Sequence, residues 1–195
     1  VRRGHLAALK AGGLGSPTTA ESLGGRQGIV ESGLPAIAFV TAYTASGQDA
    51  TLSAGVALAI GVALAAARLA RRQTVRYALS GLAGVALAAF IVSRTGRAED
   101  FFLPGLLVDA GYAHAYLISI VVGWPLLGVF VGAITGQGMA WRDDPAQVRA
   151  YSRATWIWVV MFLLGVAVQL PLYLAGALVA LGVARVAMGI PLFVL

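Results

Sequence analysis

The sequence contains no cysteine, a single lysine and few charged residues of any kind. Without cysteine, disulfides, thiolate chemistry, zinc fingers and iron–sulfur clusters are excluded. Charged residues make up 11% of the 195 positions, against about a quarter in ordinary soluble domains. Hydrophobic residues make up 59% and the mean hydropathy is +0.84. Water is therefore not the main solvent of this fold.

What the sequence does contain is a series of long apolar runs. Runs of about 17 to 25 apolar residues are long enough to cross the hydrocarbon core of a bilayer as helices. A β-barrel would need strands that alternate polar and apolar residues, whereas "AGVALAIGVALAAARLA" is apolar on every side. We therefore predict an all-α, polytopic transmembrane helical bundle of about six spans. The predicted spans are residues 29–47, 52–70, 77–93, 111–138, 154–173 and 178–195.

The distribution of basic residues predicts the orientation of these spans. Residues 1–27 are rich in Gly, Ser and Thr and are expected to form a basic, loosely ordered cytoplasmic arm, followed by a transmembrane domain over residues 28–195. With the N-terminus inside, eleven of the 14 basic residues lie on the cytoplasmic side. Arginine and lysine are retained on that side, so both ends of the domain are predicted to be cytoplasmic.

Two segments share a short pattern that is typical of a duplicated hairpin. Leu103-Pro104 is followed by Gly123-Trp124-Pro125-Leu126, and Leu170-Pro171 is followed at nearly the same distance by Gly189-Ile190-Pro191-Leu192. Internal repeats of this kind occur in many transport folds. The two matches are explained either by a duplication or by chance in a leucine-rich chain.

Arg185 is a permanent cation inside the last apolar run. If the two hairpins are equivalent, it lies roughly 12 Å below the outer surface at 1.5 Å per residue. An unpaired cation at mid-membrane costs about 2.5–3.5 kcal/mol or more, so we expect a partner. Asp109, Glu99 and Asp100 are the acids on the outer side. Arg185 then forms either a structural ion pair or part of an anion or headgroup site near the outer mouth.

His114 and Glu31 complete the candidate intramembrane polar site with Arg185 and Asp109. Residues 109 and 114 are about 140° apart on a helix, which disfavours joint metal binding and favours a helix-end polar contact for His114. Glu31 opens the first span, where an acid stabilises a helix N-terminus; proton carriage is the alternative. We expect no catalytic residue, no metal and no cofactor.

Glycine recurs every fourth residue on the predicted fourth span, at Gly128, Gly132 and Gly136. Small residues at this spacing form a smooth helix face that another backbone can approach closely. This predicts a helix-packing face. The partner is either in the same chain or in another.

Several strings resemble a known family. They are "ESGLP", "AEDFFLPG", "WR" at residues 141–142, "ATW" at 154–156, "QLPLYLAG" and "LGVARVAMGIPL". Together they resemble the actinobacterial membrane proteins grouped as domain of unknown function 3159, and the order of spans is more distantly similar to the intracellular septation protein A family. The resemblance implies a bacterial plasma (inner) membrane and an Arg185 that belongs to the family pattern. It implies no catalytic residues.

These observations favour a non-enzymatic, envelope-associated scaffold or interaction protein. The alternative is a small-solute or ion transporter or channel component, in which Arg185, Asp109, His114 and Glu31 line a polar outer vestibule. An enzyme is disfavoured because no nucleophile and base occur at usable spacing. The expected partners are the lipid bilayer and either a second copy or a membrane protein, with no nucleic acid.

Overall fold

The described part of the chain is helical, without strands. A computed structural model describes the backbone of residues 25–71 and 75–194 and the side chains of residues 33–71 and 79–189. Most of the predicted basic arm, residues 1–27, lies outside the described residues. The described residues form seven α-helices: α1 (Gly25–Ala45), α2 (Ala50–Ala70), α3 (Val75–Thr95), α4 (Leu103–Val121), α5 (Leu126–Ile134), α6 (Pro145–Leu174) and α7 (Leu178–Val194). Two short 3-10 helices span Ala98–Phe101 and Ala140–Asp143.

The first three α-helices pack in sequence order, with α2 between α1 and α3. The side chain of Asp49 starts α2 by accepting a hydrogen bond from the Leu52 N–H at 2.9 Å, which satisfies one free amide of the first turn. Small side chains at helical spacing allow close packing of α2. Its buried residues are Ala50, Ser53, Ala54, Ala57, Gly61 and Ala65.

The second group consists of α4, α5 and α6, with α4 packed along α6. Aromatic rings fill part of this contact: the Tyr112 and Phe162 ring centroids are 5.3 Å apart, and those of Tyr116 and Trp158 are 6.1 Å apart. Helix α7 contacts both α1 and α6. It therefore joins the two groups of helices.

A core of phenylalanines lies where the 3-10 helix Ala98–Phe101 meets α1. The Phe39 and Phe101 rings stack with centroids 4.1 Å apart, and Phe102 lies edge-on to Phe39 at 6.2 Å. All three side chains are buried. Burial of aromatic surface is a large apolar contribution to packing, so the turn before α4 is part of the protein interior.

The predicted fourth span, residues 111–138, is wrong as a single helix. Helix α4 begins earlier, at Leu103, and ends at Val121; α5 then covers only Leu126–Ile134. Gly123 has a left-handed φ of 72° and Pro125 lacks an N–H, so the helix cannot continue through this segment.

Of the two explanations for the repeated pattern, duplication or chance, the described helices do not support a duplicated hairpin. Pro104 lies in the first turn of α4, whereas Pro171 lies inside α6. Residues 123–125 separate two helices, whereas the matching residues 189–191 lie within α7. The two sequence patterns therefore adopt different structures. The depth of Arg185 cannot be inferred by matching it to a residue of α4.

Among the described residues, three helices are long and apolar enough to cross a membrane: Ala50–Ala70, Leu103–Val121 and Pro145–Leu174. Large apolar side chains such as Ile157, Val160 and Leu164 of α6 are exposed. Such a continuous apolar exterior is typical of a surface that contacts lipid or another protein. The all-helical fold is confirmed over the described residues, while the number of spans and the orientation stay predictions.

Candidate functional site

Three polar side chains from three helices meet in an otherwise apolar region. Arg185 of α7 forms an ion pair with Asp109 of α4, through its Nη1 and the Asp109 Oδ2. The same Nη1 lies 3.4 Å from the Oε1 of Gln169, on α6. We call these residues the Arg185 cluster. It links α7 to both long helices of the second group.

One glycine gives the guanidinium room to reach its partners, and a second lies beside those partners. Gly105 lies one helical turn before Asp109, and a Cβ at this position would be 2.5 Å from the Arg185 Nη2. Gly165 lies one turn before Gln169, and its Cβ would be 3.6 Å from the Gln169 Nε2 and 4.0 Å from the Asp109 Oδ2. The guanidinium therefore packs directly on the backbone of α4.

The side chains of the Arg185 cluster are partly or fully buried. Arg185 and Asp109 keep 33% and 15% of their side-chain surface exposed, and Gln169 as a whole residue keeps 2%. A buried charge is tolerated when a partner and hydrogen bonds compensate for its lost solvation. The carboxylate and the amide oxygen both compensate the one cation.

The members of the cluster lie at a similar distance from one end of the bundle. Asp109 lies six residues after the start of α4, Arg185 seven after the start of α7, and Gln169 five before the end of α6. At 1.5 Å per residue these positions are roughly 8–10 Å from the helix ends. The cluster is thus below one surface of the bundle.

A second polar group lies at the same end of the bundle. The Tyr173 hydroxyl donates a hydrogen bond to the Asp100 Oδ1 at 2.5 Å, and Asp100 is buried. Arg97 donates from Nε to the Glu99 Oε1 at 2.9 Å. This hydrogen bond and the nearby Asp100 charge raise the pKa of Arg97 above its usual value. Glu99 and Asp100 therefore bind Arg97 and Tyr173 rather than Arg185.

The structure does not bring all the predicted polar residues together. His114 is on α4, but its Nδ1 lies 2.7 Å from the carbonyl oxygen of Ala110 on the same helix. Glu31 lies in α1, and its side chain is outside the described side chains. Within the described ranges no three His, Asp or Glu residues form a group that could hold a metal ion.

Two of the three glycines of the predicted packing face are covered by the chain itself. A Cβ on Gly128 would lie 3.0 Å from both the Trp141 and Tyr151 rings. One on Gly132 would collide with the carbonyl oxygen of Gly138. Gly136 lies beyond the end of α5 with a φ of 71°. The approaching partner is thus the loop that follows α5, together with Tyr151 of α6 at Gly128.

Gln169, Gly105 and Gly165 were not predicted as site residues. Gln169 did carry a signal, because it is the only amide or charged side chain between Arg153 and Arg185. The two glycines did not, because glycine is common throughout the chain. These two glycines are close to the Arg185 cluster only because α4, α6 and α7 pack together.

Two of the grooves on the sides of the described helices are apolar. One, of about 380 Å³, is between α1 and α7 and includes Val40, Gly182 and Val186. The other, of about 310 Å³, is between α2 and α3 and includes Ala54 and Phe90. Neither groove is lined by a member of the Arg185 cluster.

The fold and the site define an all-helical protein with helices suited to a membrane and an internal polar cluster. The chain belongs to the family described as "Protein of unknown function (DUF3159)", whose model matches residues 23–195. This confirms the predicted family. No curated protein and no solved structure matches the chain. The actinobacterial origin and the relation to septation protein A stay predictions.

Proposed function

We propose that the protein crosses a bacterial plasma membrane six times, with both ends of residues 28–195 in the cytoplasm. In this arrangement α5 does not cross, because nine residues extend only about 14 Å against a hydrocarbon core of about 30 Å. The arginine-containing loop after α5 then stays inside, as the positive-inside rule requires. The Arg185 cluster lies near the outer surface.

We further propose that the protein is a non-enzymatic, envelope-associated scaffold or interaction protein. The observation that carries this proposal is the local compensation of Arg185, whose charge is paired within the bundle by Asp109 and Gln169. A cation that is already paired and packed on the Gly105 backbone acts as a clamp between helices. Neither described groove connects a substrate-sized space to this cation.

The second candidate is a transporter or channel component. It is favoured by the one third of the Arg185 side chain that stays exposed. An anion could exchange with the Asp109 carboxylate at such a site without unfolding the bundle. The two functions differ in whether Arg185 must keep its charge.

Ion flux in proteoliposomes distinguishes the two candidates. Vesicles containing the native protein, with an internal pH-sensitive or chloride-sensitive dye, should lose proton and chloride gradients no faster than protein-free vesicles. Fast loss with the native protein that disappears in the double variant Arg185→Met/Asp109→Leu would establish the transporter instead. The double variant suits this comparison because it removes both charges and leaves no unpaired ion.

The scaffold function also predicts assembly. Native mass spectrometry of protein extracted with its surrounding membrane into lipid discs should give a complex heavier than one 20.0 kDa chain. The double variant Arg185→Met/Asp109→Leu should give the same mass. A lone chain under these conditions would contradict the scaffold.

A further inference from the structure

Helix α5 and the segments that flank it form a half-length element with two different faces. One face contains Gly128 and Gly132 and is covered by the Trp141 ring, which is buried. Tyr151 lies against the Trp141 ring, with centroids 5.4 Å apart. This face is filled by the protein's own chain and is closed to any partner.

The other face of this element is apolar and exposed. Ile134 keeps 85% of its surface exposed and Phe130 keeps 51%. Val122, Trp124 and Met139, next to the ends of α5, are also exposed. An apolar patch of this kind is stable only against an apolar medium or partner.

Arg142 borders the apolar face, and two more arginines lie near the same end of α6. The Arg142 guanidinium lies 3.7 Å from the centre of the Trp124 ring, so the cation is held beside the exposed patch. Arg149 and Arg153 are exposed in the first part of α6, and their spacing of four residues puts them on one helix face.

The acids in the same region do not cancel this charge. The Asp144 carboxylate accepts a hydrogen bond from the Ala146 N–H at 2.8 Å and starts α6. This bond lowers the pKa of Asp144, so the group stays ionised in its capping role. Asp143 is the other acid of this segment and is exposed. This segment therefore contains three arginines and two acids, and one of the two acids caps the N-terminus of α6.

Resting on the proposed topology, in which α5 stays on the cytoplasmic side, we propose that this element is a binding surface for anionic phospholipid in the cytoplasmic leaflet. The exposed side chains of Trp124, Phe130, Ile134 and Met139 insert among acyl chains, and Arg142, Arg149 and Arg153 contact the phosphates. Apolar residues beside arginines are the combination that holds interfacial segments at a charged membrane surface. Guanidinium groups suit phosphate because they donate two parallel hydrogen bonds.

The absence of cysteine makes a direct test available. Ile134→Cys gives a single labelling site for a fluorophore in the complete protein, reconstituted in nanodiscs with or without phosphatidylglycerol. Quenchers attached near the lipid headgroup should quench this label more strongly than quenchers at the acyl-chain end. Efficient quenching by aqueous iodide, or strongest quenching from the bilayer centre, would overturn the interfacial placement.

Lipid preference tests the role of the arginines. Native mass spectrometry should show bound phosphatidylglycerol in preference to phosphatidylcholine, and each of Arg142→Gln, Arg149→Gln and Arg153→Gln should lower that preference about fivefold. Arg94→Gln is the matched control, since Arg94 is also exposed and lies over a ring, that of Phe90 at 5.1 Å. Equal effects of Arg94→Gln and Arg142→Gln, or no preference in the native protein, would overturn the proposal.

Discussion

At the scale of single residues, the space beside Arg185 depends on one glycine. Gly105→Ala would place a methyl group 2.5 Å from the Arg185 Nη2 and 2.8 Å from its Cζ. We expect this variant to be destabilised by about 1–3 kcal/mol, because the guanidinium must leave its partners or α7 must shift. Gly111→Ala is the control on the same helix, where a Cβ meets nothing within 4 Å. Unfolding in detergent measures both variants, and equal stabilities would contradict the contact.

The ion pair of the Arg185 cluster predicts a non-additive pair of substitutions. Arg185→Met or Asp109→Leu alone should cost about 3 kcal/mol, because each leaves a partly buried charge without its partner. The double variant should be less destabilised than the sum of the two, since no lone charge remains. A double-mutant cycle in the free energy of unfolding measures this coupling. Additive losses would mean that the two side chains do not interact.

The need for a partner to Arg185 could be predicted from the sequence, but its identity could not. The cost of a lone cation among apolar residues requires an acid, and three were available on the outer side. The choice of Asp109 depends on where α4 begins, which fixes its distance from α7. Glu99 and Asp100 belong to other contacts once the 3-10 helix Ala98–Phe101 folds into the core.

At the scale of elements, α5 is held by one buried ring. Trp141→Ala should destabilise the protein by about 3–5 kcal/mol, because the lost ring leaves a cavity above Gly128 and Gly132. Limited proteolysis should also cleave residues 135–144 faster. Trp156→Ala is the control, since Trp156 keeps 45% of its surface exposed whereas Trp141 keeps 1%. Similar losses for both tryptophans would contradict the role given to Trp141.

Hydropathy predicts where apolar helices occur better than where they end. Residues 111–138 are apolar nearly throughout, so a single span was predicted, although Gly123 and Pro125 carry the local signal for a break. Helix α6 was predicted to start at residue 154 but begins at Pro145, nine residues earlier. Its first turns are polar, and the Asp144 cap rather than hydropathy determines its start.

At the scale of the whole molecule, α7 joins the two helix groups and its contact with α1 can be fixed covalently. A Cβ on Gly182 would lie 3.8 Å from the Val40 Cβ, which is the usual separation in a disulfide. We expect Val40→Cys/Gly182→Cys to form an intramolecular disulfide on oxidation, identified by peptide mass mapping. The pair Val40→Cys/Gly111→Cys is the control, because Gly111 has no neighbour within 4 Å. Equal cross-linking of both pairs would contradict the packing of α7 on α1.

The proposed bundle crosses the membrane six times and keeps α5 on the cytoplasmic side, and single-cysteine labelling of intact cells tests this topology most directly. Ala45→Cys, Thr95→Cys and Ala175→Cys lie at exposed helix ends predicted to be outside, and should react with a membrane-impermeant maleimide. Val122→Cys and Gln137→Cys flank α5 and should react only after the membrane is opened. Labelling of Gln137→Cys but not Val122→Cys from outside would show that α5 crosses the membrane and would contradict the account.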